Sequence, residues 1–348
     1  MSRDLVMPTL NCPFPRREHP DAADAEKAAL TWLTTRGIPL GTSQLDVHLA
    51  SLFGTFAAMT YPDVTPDRLA LAAKWLGWLF VFDDLHLDEN PEAVNATAMA
   101  NILIPTLAVL TPPHIPATQA PEQAPEHDPL SRALQELLDD FARCCTPTQL
   151  RRLTDDLTLA LFSAHLEAGA WTAARRVPDL AEYRITRQHS GAVLPCLTLI
   201  DILSGYEVPA HEFHHPQVQA LRGSASNVIT WSNDLFSSVK EARRSEFGIN
   251  LPTVLRHHGY SAQEALDHTA RLHNEEVDTY LELEAQTLSW ASPELRRYLD
   301  GLRAWMQGNH YWSLESGRYD LTAAQVAAIL GRPQTTPVRP PQQGRRRI

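Results

Sequence analysis

The sequence has few of the features expected of disulfide-rich or nucleic-acid-binding proteins. Only four cysteines occur, at positions 12, 144, 145 and 196. Their spacing matches neither a zinc site nor a disulfide framework, and adjacent cysteines are poor partners for each other. Reduced thiols, as in a cytoplasmic protein, are therefore expected. The formal net charge of −11 excludes a general nucleic-acid binder, because such a protein presents a basic surface.

Long apolar runs and targeting patterns are also missing. No uninterrupted run reaches the roughly 18 apolar residues that suggest a membrane span, and residues 1–15 lack the basic start and apolar core of a signal peptide. There is no internal repeat, no Gly-rich phosphate loop and no alternation of strands and helices. Hydrophobic residues still make up 44% of 348 residues, which is enough for a sizeable core. We expect a soluble cytoplasmic protein without a membrane span.

Helical periodicity runs through most of the chain. The predicted helices cover Ala22–Arg36, Gln44–Met59, Asp67–Phe82, Leu130–Cys145, Gln149–Arg175, Val177–Leu203, Ser261–Trp290 and a last segment from Pro293. The stretch Thr111–Pro129 is rich in proline and poor in apolar residues, as in a surface loop. Helical periodicity resumes on both sides of it, so we interpret it as an insertion. The prediction is one all-α domain over residues 1–335, followed by a disordered tail at 336–348.

The segment WSNDLFSSVKE, residues 231–241, carries a row of oxygen ligands. In a helix, Asn233, Ser237 and Glu241 recur every four residues and therefore lie on one face. An amide oxygen, a hydroxyl and a carboxylate suit Mg²⁺, which prefers oxygen ligands. A three-residue polar stripe alone would more often be the solvated face of a surface helix.

A second acidic cluster favours the metal-binding interpretation. The run WLGWLFVFDDLHLDE, residues 75–89, is apolar until it ends in Asp83, Asp84, Asp88 and Glu89. Carboxylates at the end of a buried helix are costly to desolvate unless they bind a cation or reach water. Two such clusters on separate helices predict a metal site between them.

These residues resemble motifs of the class I terpene synthases. The segment from Asp83 to Asp88 is similar to their aspartate-rich motif, as the variant DDxxxD instead of DDxxD, and Asn233 to Glu241 is similar to NDxxSxxxE. In this family a diphosphate-sensing arginine lies 46 residues before that Asn, which is the position of Arg187. The end of the chain resembles the family's W…GN…W…RY segment, with Trp305, Gly308, Asn309, Trp312, Arg318 and Tyr319.

The resemblance implies a role for each of these residues. Asp83 would bridge two of three Mg²⁺ ions with help from Asp88, and Asn233, Ser237 and Glu241 would hold the third. The diphosphate would be bound by Arg187, Lys240, Arg318 and Tyr319. Gly191 falls at the family's effector position in a helix break, and Ser190 stands where related enzymes often have Asp. Asp84 points about 100° away from Asp83, so we expect it to orient a basic partner.

The resemblance also implies a fold and an activity. The fold would be a class I terpenoid synthase helical bundle around a deep apolar cavity. Phe56, Phe80, Trp305 and Trp312 are candidates for the cavity wall, although aromatic residues at helical spacing are usually plain core. The expected reaction is Mg²⁺-dependent ionisation and cyclisation of an acyclic isoprenyl diphosphate, farnesyl diphosphate first, to a sesquiterpene. In the family the N-terminal arm, Pro8–Pro20, often packs over the active-site mouth, whereas a frayed terminus is the alternative.

Other functions compete with this interpretation. A prenyltransferase that condenses isoprenyl diphosphates shares the metal-binding helical architecture, but normally has two aspartate-rich motifs instead of NDxxSxxxE. An inactive relative would fit the variant aspartate motif and Ser190. A class II cyclase would need a DxDD acid, which the sequence does not contain. Related enzymes are often dimers, so a homodimer is compatible with the resemblance.

Overall fold

Helices form the scaffold throughout the part of the chain that the structure describes. The computed structural model describes residues 5–38, 52–88, 96–111, 129–167, 171, 174–244, 249–319 and 321–331, without the side chains of 87–88, 96–100, 165 and 239–244. These ranges contain no β-strand, and none of their helices is long and apolar enough to cross a membrane. The predicted all-α fold is confirmed. The predicted helical residues 44–51, most of the proline-rich stretch (112–128) and the tail lie outside the described residues.

Most predicted helices are present, but the helix inside the predicted Gln44–Met59 begins at Phe53, and the helices at Ala96–Leu110, Ala210–Phe213, Leu251–His257 and Ala323–Ile329 were not predicted. In chain order they are α1 (Ala22–Thr35), α2 (Phe53–Thr60), α3 (Pro66–Asp83), α4 (Ala96–Leu110), α5 (Pro129–Ala142), α6 (Pro147–Leu166), α7 (Leu180–Ser190), α8 (Val193–Leu203), α9 (Ala210–Phe213), α10 (Pro216–Arg244), α11 (Leu251–His257), α12 (Ala262–Thr287), α13 (Pro293–Glu315) and α14 (Ala323–Ile329). A π-helical turn, Asp84–Asp88, continues α3. In the predicted helix Gln149–Arg175 the α-helix ends at Leu166. The described residues 167 and 171 are π-helical and residues 174–175 form a turn, so the predicted end was too late.

Capping residues fix where α7 and α12 begin. At the start of α7 the side chain of Asp179 accepts from the backbone N–H of Glu182, and the Glu182 side chain accepts from the N–H of Asp179. This reciprocal arrangement is a capping box, which satisfies two N–H groups that the helix itself cannot pair. Ser261 and Glu264 begin α12 in the same way. The capping box therefore fixes the first residue of α7, the helix that carries Arg187.

The predicted segment Val177–Leu203 is two helices, with the expected break beside Gly191. Ala192 has a φ of 52° and adopts the left-handed conformation, which costs a non-glycine residue roughly 1–2 kcal/mol. Pro195 lies in the first turn of α8, where a missing N–H breaks no helical hydrogen bond. The chain thus holds a strained joint between α7 and α8.

A close approach between α2 and α13 helps to form the main core. A Cβ atom on Gly308 would lie 2.7 Å from the carbonyl oxygen of Met59, so a side chain at this position would force the helices apart. Gln307 Nε2 donates to the same carbonyl at 2.6 Å. The contact brings the aromatic face of α13 onto α2.

The N-terminal arm packs against helices from the end of the chain. Met7, Leu10 and Phe14 are buried, the backbone N–H of Leu10 donates to the carbonyl of Ile329 at 3.1 Å, and that of Asn11 donates to Asn274 Oδ1 at 2.8 Å. Burial of the three apolar side chains stabilises the arm by about 2 kcal/mol each. Over residues 5–20 the arm is therefore part of the packed structure and not a frayed end.

Two buried histidines, His273 on α12 and His310 on α13, predict a loss of stability in mild acid. Burial, and for His310 the neighbouring His273, lower the pKa of each imidazole to about 4. The unfolded chain therefore takes up protons first as the pH falls below 6.5. The free energy of unfolding should be highest above pH 6.5. Between pH 7 and pH 5 it should fall by about 2 kcal/mol for each histidine. Guanidinium unfolding at the two pH values measures this.

Carboxylates also titrate in this range, so variants isolate the histidine contribution. In His310→Gln the drop between pH 7 and pH 5 should be smaller by about 2 kcal/mol. The exposed His211 supplies the control, because His211→Gln should leave the drop unchanged. Equal drops in wild type and His310→Gln would contradict the prediction.

Candidate active site

The consecutive residues Arg318 and Tyr319 join the two predicted clusters. Arg318 Nη2 lies 3.1 Å from Asp84 Oδ1, at the end of α3. The amide nitrogen of Asn233, on α10, donates to Tyr319 Oη at 2.7 Å. Two motifs that are 150 residues apart in sequence thus meet at a single dipeptide near the end of the chain.

The aspartate-rich cluster supplies negative charge next to Arg318. Burial alone would lower the pKa of Arg318, but the Asp84 carboxylate, with Asp83 also nearby, outweighs it and raises the pKa. The guanidinium also lies over the ring of Phe80, 4.6 Å from its centroid, a favourable cation–π geometry. The expected basic partner of Asp84 is therefore Arg318.

The unusual spacing of the aspartate motif has a backbone counterpart. Asp83 ends α3 and the next five residues form the π-helical turn, in which backbone hydrogen bonds join residues five apart. The motif DDxxxD separates its first and last aspartates by five residues, one more than DDxxD. The extra residue is therefore accommodated as a wider turn. The side chain of Asp88 lies outside the described residues.

The second cluster keeps its oxygen donors on one helix. Asn233 and Ser237 lie one turn apart on α10, and Ser237 is buried. The Ser237 hydroxyl donates to the carbonyl of Asp234 at 3.4 Å, which leaves its oxygen lone pairs able to coordinate a cation. These neutral oxygen donors fit a hard metal ion. The side chains of Lys240 and Glu241 lie outside the described residues.

Acidic side chains alone do not form the predicted metal site. Among the described side chains, no group of three or more histidine, cysteine, aspartate or glutamate residues could hold a metal ion. One reason is that the α10 cluster contributes an amide and a hydroxyl. The other is that the side chains of two carboxylates predicted to bind metal, Asp88 on the π-helical turn and Glu241 on α10, lie outside the described residues.

Arg187 lies against the second cluster, as the resemblance to the class I terpene synthases implies. Its Nη2 donates to Asn233 Oδ1 at 3.2 Å and to Asp234 Oδ1 at 2.8 Å, and its Nε donates to Asp234 Oδ1 at 3.0 Å. The side chain is 19% exposed. Arg187 is thus an ion-paired arginine at the edge of the site, with part of its surface still open to solvent.

Gly191 and Ser190 lie at the joint between α7 and α8. A Cβ atom on Gly191 would come within 2.6 Å of Thr230 Cγ2, one turn before Asn233 on α10. Ser190 Oγ donates to Glu167 Oε1 at 2.7 Å. A carboxylate therefore lies beside the position where related enzymes often have Asp, although it comes from a different part of the chain.

The four aromatic residues predicted for the cavity wall form one cluster. Phe56 stacks on Trp312 with ring centroids 4.4 Å apart and meets Trp305 edge-on at 5.4 Å. Phe80 lies 6.0 Å from Phe56 and 5.6 Å from Trp312. Because Arg318 lies over Phe80, the cluster adjoins the residues predicted to bind diphosphate. The structure brings these rings together, and their role in a cavity stays a prediction.

Three further polar residues at this site were not assigned a role from the sequence. Tyr183 donates its hydroxyl to Asp234, and Glu167 accepts from Ser190. Two signals were available: Asp234 lies inside the NDxxSxxxE segment, and Tyr183 precedes Arg187 by four residues, which places both on one helix face. Glu167 has no comparable signal, because its contact is purely tertiary.

Comparison with known proteins identifies the family. A family profile described as terpene synthase family 2, C-terminal metal binding, matches residues 74–279. The 4-epi-cubebol synthase ((2E,6E)-farnesyl diphosphate cyclizing) of Streptosporangium roseum is 30% identical over 325 residues, or 91% of this chain and 93% of the relative. The (+)-(1(10)E,4E,6S,7R)-germacradien-6-ol synthase of Streptomyces pratensis is 32% identical over 322 residues, or 90% and 86%.

A solved structure confirms the fold. The crystal structure of the SVS_A2 protein from ancestral sequence reconstruction superposes with a TM-score of 0.78 at 29% identity, covering 89% of this chain and 90% of that one. Family profile, full-length relatives and fold agree with one another. The chain belongs to the class I terpene synthases, all-α enzymes with a metal-binding C-terminal region.

Proposed function

We propose that this enzyme ionises and cyclises an acyclic isoprenyl diphosphate, with farnesyl diphosphate the first candidate, in a reaction that depends on Mg²⁺. The observation that carries the proposal is the Arg318–Tyr319 bridge between Asp84 and Asn233. It gathers oxygen donors and cationic donors at one place, as an anionic leaving group requires. The choice of farnesyl diphosphate rests on the name of the Streptosporangium roseum relative.

The donor set fits a hard divalent cation and an anionic leaving group. Asp83, Asp88, Asn233, Ser237 and Glu241 would hold three Mg²⁺ ions, which when bound supply positive charge to the departing diphosphate. Lys240, Arg187, Arg318 and Tyr319 would donate to the diphosphate oxygens. The carbon–oxygen bond breaks, its electron pair leaves with the diphosphate, and an allylic carbocation remains.

Among the residues predicted to bind diphosphate, the structure describes the side chains of Arg187, Arg318 and Tyr319. Arg318 is held by Asp84 and Tyr319 by Asn233, so both are oriented before substrate arrives. Arg187 is held by Asp234 in the same manner. Preoriented donors lose little conformational entropy when they bind the leaving group.

The aromatic cluster offers the opposite environment to the hydrocarbon chain. Phe56, Trp305 and Trp312 are buried, and aromatic rings that line a substrate cavity can stabilise migrating positive charge. An apolar wall also excludes water, which would otherwise trap the cation early. Attack of a distal double bond on the cation would close the ring, and proton loss or water capture would end the reaction.

Incubation with geranyl, farnesyl and geranylgeranyl diphosphates, each with and without Mg²⁺, tests the proposal. Gas chromatography with mass spectrometry identifies the hydrocarbons while diphosphate release is followed in parallel. We expect a cyclic sesquiterpene from farnesyl diphosphate, formed only with metal. If only linear products formed, the enzyme would ionise the substrate without cyclising it. Activity only in the presence of a second isoprenyl diphosphate would identify a prenyltransferase, and folded protein without turnover would identify an inactive relative.

A further inference from the structure

Asp234 lies inside the NDxxSxxxE segment but has no part in the metal set. Its side chain is only 1% exposed. A buried carboxylate is costly unless charged or polar donors surround it. The donors around Asp234 therefore indicate what it does.

Four hydrogen bonds reach this carboxylate from two other helices. Oδ1 accepts from Arg187 Nε at 3.0 Å and Nη2 at 2.8 Å. Oδ2 accepts from Tyr183 Oη and from the backbone N–H of Leu251, the latter at 3.2 Å. A carboxylate offers about four lone-pair sites, so Asp234 has little capacity left for a metal ion. On α10 it also points about 100° away from Asn233.

An apolar cluster separate from the main core encloses this arrangement. It consists of Trp171, Tyr183, Trp231, Leu251, Val254, Leu255 and Ala265. Burial, together with the charge of Asp234, raises the pKa of Tyr183 well above its ordinary value, so its hydroxyl remains a donor. Low local polarity strengthens the ion pair with Arg187. The carboxylate is thereby fixed from α7, α10 and the start of α11 at once.

The geometry of Arg187 follows from this anchor. The guanidinium is planar, and its Nε and Nη2 edge faces Asp234 while Nη2 also reaches Asn233. Fixing one edge of a planar group fixes the direction of the whole group. Without Asp234, Arg187 would have to be ordered by the diphosphate itself, at a cost in affinity.

We propose that Asp234, held by Tyr183 and the N-terminus of α11, is a positioning residue that orients Arg187 toward the diphosphate. The inference rests on the proposed function, because it assigns Arg187 to the diphosphate. Asp234 acts through Arg187 and does not touch the substrate. The Tyr183 hydroxyl in turn helps to hold Asp234, so it acts on Arg187 through that carboxylate.

Binding of inorganic pyrophosphate in the presence of Mg²⁺, measured by calorimetry, tests the inference without turnover. Asp234→Asn should weaken binding about tenfold, within the range of coupling energies between contacting residues. Arg187→Ala should weaken it at least as much. In the double variant Asp234→Asn should add nothing to Arg187→Ala, because its effect passes through that arginine.

Tyr183→Phe provides a second route if Asp234→Asn does not fold. It keeps the aromatic packing and removes one donor, so a loss of about threefold in pyrophosphate affinity is expected, again absent when Arg187 is alanine.

Asp201 is the matched control. It is also 1% exposed and accepts from the backbone N–H of Val208 at 3.1 Å, with Arg152 at 3.7 Å. Asp201→Asn should lower Tm without changing pyrophosphate affinity. Wild-type affinity in Asp234→Asn, or additive losses in the double variant, would overturn the inference alone. Wild-type protein that does not bind Mg²⁺ and pyrophosphate would overturn the proposed function as well.

Discussion

Asn233→Ala is expected to lower kcat/KM for the isoprenyl diphosphate by about 10²–10³-fold or more, the range seen when one preorganised electrostatic group is removed. The change deletes an amide oxygen predicted to bind metal. It also breaks the contacts with Arg187 Nη2 at 3.2 Å and Tyr319 Oη at 2.7 Å. One substitution therefore disturbs the metal site and two diphosphate donors together. Steady-state kinetics with farnesyl diphosphate and excess Mg²⁺ measure the effect.

Asn227 on the same helix gives the control for this change. Its amide donates to Glu276 Oε1 at 3.2 Å, on α12 and away from the predicted metal residues. Asn227→Ala should change kcat/KM by no more than a few-fold. If Asn233→Ala kept more than a tenth of the wild-type kcat/KM, the assignment of Asn233 to the metal would be wrong.

Gly191→Ala is expected to reduce kcat by about a hundredfold. The added Cβ would lie 2.6 Å from Thr230 Cγ2, so α7 and α8 must shift away from α10. Overpacking of this kind costs about 1–3 kcal/mol of stability, and an ångström of displacement at a catalytic site can cost about 10²-fold in rate. Circular dichroism melts and single-turnover kinetics separate the loss of stability from the loss of rate.

A compensating substitution makes this test specific. Thr230→Ser removes the clashing methyl group but keeps the hydroxyl that donates to the carbonyl of Ser226 at 2.9 Å. The double variant Gly191→Ala/Thr230→Ser should recover most of the lost kcat, while Thr230→Ser alone should have little effect. No recovery in the double variant would show that the glycine matters for a reason other than this contact.

The sequence predicts contacts well where one residue's position follows from a repeat or a fixed spacing. Four-residue spacing places Asn233 and Ser237 on one face. The resemblance to the class I terpene synthases, in which a sensing arginine lies 46 residues before the Asn, points to Arg187, which contacts Asn233. The 100° offset predicts that Asp84 serves a basic partner. Its partner, Arg318, lies 234 residues later, and the sequence alone does not name that pairing.

Contacts that depend on how helices cross were missed. Tyr183 and Asp234 are 51 residues apart and lie on different helices. Helical periodicity relates residues of one helix only, so it could not predict their contact. Glu167, at the end of α6, contacts Ser190, at the end of α7, because these two helices pack against each other. The left-handed residue at the break was also unexpected, since Ala192 adopts this conformation and not the neighbouring Gly191.

The N-terminal arm has a consequence for how the protein is made. Its Thr9 hydroxyl donates to the carbonyl of Ala328, a partner 319 residues later in the chain, and Leu10 donates to Ile329. At about 5–20 residues per second, the ribosome finishes that partner at least ~15 s after the arm has emerged. Thr9 and Leu10 therefore lack their partners until α14 is released, whereas Asn11 and Phe14 contact α12, which is made earlier. Completion of its docking is a late step of biosynthesis, and ribosome-bound chains that stop before α14 should be more open to proteolysis around Thr9 and Leu10 than the full chain.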